Sequence, residues 1–343
     1  VSDARLIGSD IPLAERYDLA LVDLDGVAYK GHEPIAGASA GLGGARAAGM
    51  RLVFVTNNAS REPGSVAEQL TGLDIPAQAG DVMTAAQACA QLLGTRLAPG
   101  AKVLVVGGAG MYTAVREAGF TIVDSADDKP DAVAQGFAPE LGWAQLAEAA
   151  YAVAGGAWFV ASNLDLSLPT ARGFAPGNGA LVGTVTAATG VRPDSAGKPA
   201  STMYQLAVDR AGASHPLVVG DRLDTDLAGA RTGGYAGLHV LTGVSTARDD
   251  VLADPSFRPH FIAADLGELL LPHPEPVQVA EGWWQVRDAA ARVTDRRLEL
   301  HGTDGGADRG VDLVRAACAA AWAAVDSGAG LDADSVPQFR IGN

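Results

Sequence analysis

Short apolar runs alternate along most of the chain with alanine-rich stretches of helical length. That alternation is the signature of repeated βα units and a mostly parallel sheet. Leu19 to Asp23 predicts a buried strand ending in an acid, and Pro216 to Asp221 a second of the same kind. Between them, Arg51 to Thr56 predicts a strand that runs into Asn57 and Asn58. Runs at 102–107, 131–134 and 157–161 predict further strands. Helices are expected near 37–48, 84–94, 110–119, 142–154, 179–189, 201–212 and 224–232. Pro/Gly-rich stretches at 173–178 and 190–199 predict joints, and Pro272, Pro274 and Pro276 predict a linker. The fold class expected is α/β with a doubly wound parallel sheet. Such sheets place their ligand crevice at the carboxyl ends of the strands, so polar strand ends are where chemistry is sought.

Composition narrows the function classes. The 343 residues suggest about two domains, and 48% hydrophobic against 19% charged residues argues against disorder. The net charge is −15, and the four lysines (Lys30, Lys102, Lys129, Lys198) and 21 arginines build no basic stripe. A nucleic-acid partner is therefore not expected. No window holds eighteen uninterrupted apolar residues, so neither a membrane span nor a membrane partner is expected. Cys89 and Cys318 cannot build a disulfide framework or a paired-cysteine zinc site, which predicts a reducing cytoplasm. A chain this acidic repels small anions at long range, so an anionic substrate would require a local reversal of the field.

Four local patterns carry candidate chemistry. In Asp23-Leu24-Asp25-Gly26-Val27, a turn at Gly26 can set two carboxylates side by side. That pair suits nucleophilic and acid–base work, or a hard divalent cation; the bland alternative is an acidic surface turn. In Gly220-Asp221-Arg222-Leu223-Asp224-Thr225-Asp226, Asp221 and Asp226 stand about one helical turn apart and could face one ion. The alternative there is helix capping by Asp224 or Thr225. Thr56, Asn57 and Asn58 offer a hydroxyl and two amides suited to phosphate oxygens. Lys198, between Gly197 and Pro199 ahead of a helix, is either a phosphate ligand or a solvated charge.

D-x-D-G, a strand-end Thr, a Lys and G-D-x-x-x-x-D, in this order, resemble the haloacid dehalogenase-like hydrolase superfamily over roughly residues 15 to 275. The resemblance implies a Rossmannoid core and Asp23 as a nucleophile forming an aspartyl-phosphate. It implies that Asp25 protonates the leaving oxygen and then activates water. Thr56 and Lys198 would bind the phosphoryl group. Mg²⁺ would sit on Asp23, the Asp25 carbonyl and Asp221, with Asp226 in support. An acid at position 25 favours a phosphatase over the dehalogenase and pump members, which lack it.

The 30 residues between Asp25 and Thr56 allow one helix and one strand, whereas the 141 between Thr56 and Lys198 allow a whole α/β domain. The arrangement resembles the type 2 capped branch of nitrophenylphosphatase, phosphoglycolate phosphatase, pyridoxal phosphatase and glycerol-3-phosphate phosphatase enzymes. Asn163-Leu164-Asp165 and Pro176 to Val182 support it, although Ser162 stands where the branch often has Thr. The expected organisation is a core of 1–83 and 191–276, an inserted cap of 84–190, and a small α/β extension of 277–343. Gly26, Asn57, Asn58, Asn163 and Asp165 are the expected substrate contacts; for Asn163 and Asp165 a capped loop is the alternative.

Val103 to Gly110 (VLVVGGAG) imitates a dinucleotide-binding turn but lacks the third glycine. A structural strand-to-helix turn is expected there. His32, His215, His239, His260, His273 and His301 show no ligand spacing and are expected on the surface or in loops. The extension, with Trp283, Trp284 and an Ala-rich helix near 310–324 containing Trp322, shows no catalytic set. It would pack on the body, mediate self-association or be the remnant of a larger domain.

The expected function is Mg²⁺-dependent hydrolysis of a small phosphorylated metabolite, glycerol 3-phosphate first. The alternatives are 2-phosphoglycolate, pyridoxal phosphate or a nucleotide, or, in a different class, a non-catalytic ligand-binding or assembly protein.

Overall fold

The computed structural model describes residues 4–170, 172–302 and 307–341. The chain forms two compact units, Val1–Val53 with Ala211–Asn343 and Phe54–Arg210. The second unit contains the expected cap, 84–190, together with its flanks.

In the first unit the strands Leu19–Val22, Pro216–Gly220, Ala236–Val240 and Phe261–Ala263 pair in parallel, with Val22 opposite Val219 and Gly220 opposite His239. Leu19–Val22 is buried throughout, as an apolar run without alternation requires of a strand covered on both faces. The predicted helix near 224–232 begins as a π-helical turn, Leu223–Leu227, and continues as Ala228–Gly233. Its first N–H, that of Leu223, is capped from a distance by the Ser245 hydroxyl (3.1 Å), while Asp226 Oδ2 accepts the Arg222 N–H (3.2 Å) and Asp224 pairs with the Arg222 guanidinium (2.9 Å). The capping role expected of Asp224 or Thr225 is corrected accordingly.

The extension is a four-stranded antiparallel meander, Val277–Gln278, Trp284–Val286, Ala289–Thr294 and Arg297–His301, followed by the helix Ala307–Asp326. It packs on the body of its unit: Val286, Leu298, Val314, Cys318 and Trp322 share one buried cluster with Leu6, Val251 and Ile262. The proline-rich stretch 272–276 is not a free linker. Its prolines spare His273, whose N–H and carbonyl bond Ser9 at 2.9 and 2.8 Å.

In the second unit five parallel strands lie in the order Asp194–Ser195, Trp158–Ala161, Ala132–Gln135, Lys102–Val106, Thr121–Val123. Part of the stretch expected as a joint at 173–178 is instead the strand Gly173–Pro176, antiparallel to Ser167–Thr170. The glycine turn after Lys102–Val106 is occupied by protein. A Cβ at Gly108 would lie 2.8 Å from the Ser60 carbonyl oxygen, and one at Gly110 2.5 Å from that of Arg61. These glycines serve close backbone packing.

The histidine expectation is corrected for His239, which is buried within the strand Ala236–Val240. His260 and His273 lie in loops as expected, yet are buried too, and each of the three has a hydrogen-bond partner that replaces water. Among the described residues no helix is long and apolar enough to cross a membrane.

Candidate active site

In the first unit Asp23 follows the strand Leu19–Val22 directly and prolongs its ladder by donating its N–H to the Val219 carbonyl (2.9 Å). Asp221 follows the neighbouring strand, Pro216–Gly220, and Asp226 lies in the π turn beyond it. Each of Asp23, Asp221 and Asp226 offers a carboxylate oxygen, and the three oxygens lie within 4.8 Å of one another. Asp221 and Asp226 are fully buried and Asp23 is half-buried. Three carboxylates this close, in a medium that screens poorly, repel one another strongly and call for a positive charge. An all-oxygen donor set suits a hard divalent cation such as Mg²⁺ or Ca²⁺.

Three glycines make the crowding sterically possible. Gly26 turns the chain at φ +87°, in the left-handed region, and a Cβ there would overlap the Asp221 carboxylate. The same overlap would follow at Gly243, and a Cβ at Gly220 would strike the Asp226 side chain. The loop 243–245 then wraps Asp221. The Val244 N–H donates to Oδ2 (2.7 Å) and the Ser245 N–H to the Asp221 carbonyl (3.0 Å). His239 Nε2 lies 3.1 Å from that same carbonyl oxygen. Asp25 forms a bridge with Tyr29 and is exposed.

Thr56, the last residue of the strand Arg51–Thr56, belongs to the second unit; it is buried and accepts the Asn58 N–H at Oγ1 (3.1 Å). Asn57 ties the remote segments together. Its Oδ1 accepts the Lys198 backbone N–H (2.9 Å), and its Nδ2 donates to Asp165 Oδ2 (3.0 Å). The Asn163 amide donates to the Asn57 carbonyl (2.8 Å), and the Asn178 amide in turn donates to the Asn163 carbonyl (2.8 Å). The Asn163 Oδ1 accepts the Asp165 N–H (3.2 Å), while Asn58 Oδ1 accepts from the Ser60 N–H and hydroxyl. Lys198 is 4% exposed, and its Nζ donates to the Val55 carbonyl (3.4 Å).

The structure thus brings Asp23, Asp221 and Asp226 together in one unit. In the other, a hydrogen-bonded cluster joins Asn57, Asn163, Asp165 and Lys198 beside Thr56. Sequence reasoning missed Gly243, Val244, Ser245, His239 and Asn178. Gly243, Val244, Ser245 and His239 carry no motif, so no local signal marks them, whereas Asn178 lies within the Pro176 to Val182 stretch, which pointed to it without giving it a role.

A family model described as haloacid dehalogenase-like hydrolase matches residues 20–121, and one described as HAD-hydrolase-like matches 195–269. D-glycerol 3-phosphate phosphatase of Mycobacterium tuberculosis is 43% identical over 319 residues, 91% of this chain and 88% of its own length. The chain belongs to the haloacid dehalogenase-like hydrolases. Among members of that family, an acid sugar phosphatase of Staphylococcus aureus is 36% identical over 75% of this chain and 98% of its own. The crystal structure of the M. tuberculosis glycerol phosphate phosphatase with magnesium superposes with a TM-score of 0.83 at 42% identity, covering 91% of this hydrolase and 92% of that chain. A thermostable NPPase of Geobacillus stearothermophilus reaches 0.66 at 33% identity, covering 73% and 97%.

Proposed function

We propose that this hydrolase is a Mg²⁺-dependent phosphomonoesterase that acts on glycerol 3-phosphate through an aspartyl-phosphate on Asp23. The observation carrying the substrate choice is the 43% identity to D-glycerol 3-phosphate phosphatase across 91% of the chain, a span that includes much more of it than the sugar-phosphatase match. The metal reading is supported by the carboxylate trio. Asp23, the Asp25 carbonyl, Asp221 and Asp226 would hold Mg²⁺, which when bound supplies positive charge against the phosphate and the charge that develops on it.

Asp23 attacks phosphorus as the phosphorus–oxygen bond to glycerol breaks. The Asp25 carboxylic acid gives its proton to that leaving oxygen. Asp25, now a carboxylate, takes a proton from water, whose oxygen attacks phosphorus and frees inorganic phosphate and the Asp23 carboxylate. Thr56 and Lys198 donate hydrogen bonds to the phosphoryl oxygens, and the lysine adds positive charge in the transition state. Gly26, Asn57, Asn58, Asn163 and Asp165 are the proposed substrate-side residues, and 84–190 is the proposed cap. The buried, free Cys89 and Cys318 support a cytoplasmic setting.

The test is phosphate release from glycerol 3-phosphate, 2-phosphoglycolate, pyridoxal phosphate and a sugar phosphate, each with and without Mg²⁺. Glycerol 3-phosphate should show the highest kcat/KM, and Asp23→Asn should abolish release. A higher kcat/KM for another ester would overturn the substrate. Undiminished release by Asp23→Asn would overturn the mechanism.

A further inference from the structure

His239 stands on the strand Ala236–Val240 directly opposite Gly220, and its ring reaches past the end of the neighbouring strand to Asp221. Asp221 lies one residue beyond that ladder, where its carbonyl also accepts the Ser245 N–H (3.0 Å). The Asp221 carbonyl oxygen can only accept, which places a proton on His239 Nε2 at 3.1 Å. On the other side of the ring Nδ1 lies 2.8 Å from Asp250 Oδ2, and both side chains are completely buried. Asp250 belongs to the helix Ala247–Val251, and its carbonyl accepts the Trp322 indole N–H (3.0 Å) from the helix of the extension.

Such a pair is a poor device for stability. Burying ionisable groups costs solvation, and an apolar pair of the same volume often serves as well or better. Here the second Asp250 oxygen, Oδ1, is buried with no hydrogen-bond partner, which adds to that cost. What the pair does provide is direction, since it fixes which ring nitrogen faces Asp221 and at what angle. The same construction orients metal-binding side chains elsewhere, where outer partners set the geometry of the ligating group.

We infer that His239 is a positioning residue for Asp221: held by Asp250, and through it by Trp322 of the extension, it fixes the peptide from which the metal-binding carboxylate projects. This rests on the reading of Asp221 as a Mg²⁺ ligand. It gives the extension a role that does not require a site of its own, because the helix Ala307–Asp326 braces the last link of the series.

Two variants separate positioning from bulk packing. A glutamine amide reaches as far as Nε2 and can still donate to the Asp221 carbonyl, whereas an asparagine amide stops near Nδ1 and keeps only the Asp250 contact. Calorimetric titration of the full chain with Mg²⁺ alone, without substrate, should show about tenfold weaker binding for His239→Asn and binding within about threefold of wild type for His239→Gln. At saturating Mg²⁺ the kcat of His239→Asn should largely recover. Wild-type affinity in His239→Asn, or equally weak binding in both variants, would overturn the inference. Asp221→Asn distinguishes the two levels. If it binds Mg²⁺ normally, the metal reading falls and the inference with it; if it loses Mg²⁺ while His239→Asn does not, only the inference falls. Should His239→Asn fail to fold, ¹⁵N NMR of the wild-type imidazole decides. Nε2 should carry hydrogen and its resonance should move on Mg²⁺ addition, and an unprotonated or unmoved Nε2 overturns the inference.

Discussion

The Asn57 Oδ1 accepts the backbone N–H of Lys198 at 2.9 Å, joining residues 141 positions apart. The same side chain donates to Asp165, so one amide sets the geometry of both partners. In Asn57→Ala the Lys198 N–H loses its acceptor, and leaving such a group unmade costs about 1–3 kcal/mol. A displaced lysine should hurt the transition state more than the ground state, so kcat should fall by about 10²-fold with a smaller change in KM. Steady-state kinetics with thermal melts check both, and an unchanged kcat would remove Asn57 from this role.

Gly243→Ala tests the crowding around Asp221. The new methyl would overlap the Asp221 carboxylate, which must then move away from Asp23 and Asp226. Mg²⁺ binding should weaken at least about tenfold, and activity should recover partly at high Mg²⁺. Wild-type Mg²⁺ affinity in this variant would mean that the loop yields instead.

Acid should weaken the fold through two histidines. Burial, with Arg231 adding to it, pushes His260 down to about 4, and burial with Arg315 pushes His273 down to about 4. The His260 Nδ1 accepts the Gly237 N–H (3.1 Å), a bond that protonation removes. Both folded pKa values lie below the unfolded value near 6.5, so their stabilisation is complete above that value and is lost as pH falls from 6.5 towards 4. His239 acts in the opposite sense. Burial alone would lower it, but the Asp250 carboxylate wins and raises it, so its contribution is already complete below pH 6.5 and lost only at higher pH. Urea unfolding between pH 6.5 and 5 should therefore show a steady loss approaching about 1.4 kcal/mol per pH unit for each of His260 and His273. His260→Gln should flatten part of the slope, and a flat wild-type profile would contradict the assignment.

The extension should prove inseparable from its unit. Arg315 is buried and donates to the Ile262 carbonyl (2.6 Å), Glu268 Oε2 (2.6 Å) and Asp312 Oδ1 (2.8 Å). Arg315→Ala takes the cation from Glu268 and one of two from Asp312, which keeps Arg287, and should cost about 3–5 kcal/mol in this poorly solvated place. Removing 277–343 would expose Leu6, Val251 and Ile262, each worth about 1.5–3 kcal/mol of burial, and should yield an aggregating chain. A soluble truncated protein with a normal melting temperature would refute this.

The main elements and the acids were legible because their signals are local. An uninterrupted apolar run followed at once by Asp23 or Asp221 predicts a buried strand with its carboxylate at the end. The strands Leu19–Val22, Arg51–Thr56 and Pro216–Gly220 lie where that pattern puts them. The strand Gly173–Pro176, within the stretch 173–178 expected as a joint, and the anchored prolines at 272–276 differ from the expectation for a matching reason. Pro and Gly mark breaks in a pattern, but a single backbone pair such as Ser9 with His273 leaves no periodicity to detect.

By itself, then, the sequence determined the fold class, the order of the chemical groups and the identity of the acids proposed to hold a cation, since each depends on neighbours along the chain. Only the tertiary structure decided what holds those groups in place. Asn57 reaches Asp165 across 108 positions, His239 reaches Asp221 across 18, and Trp322 reaches Asp250 across 72. A histidine or an indole carries the same letter whether solvated or buried, and packing alone supplies the partner that makes burial tolerable.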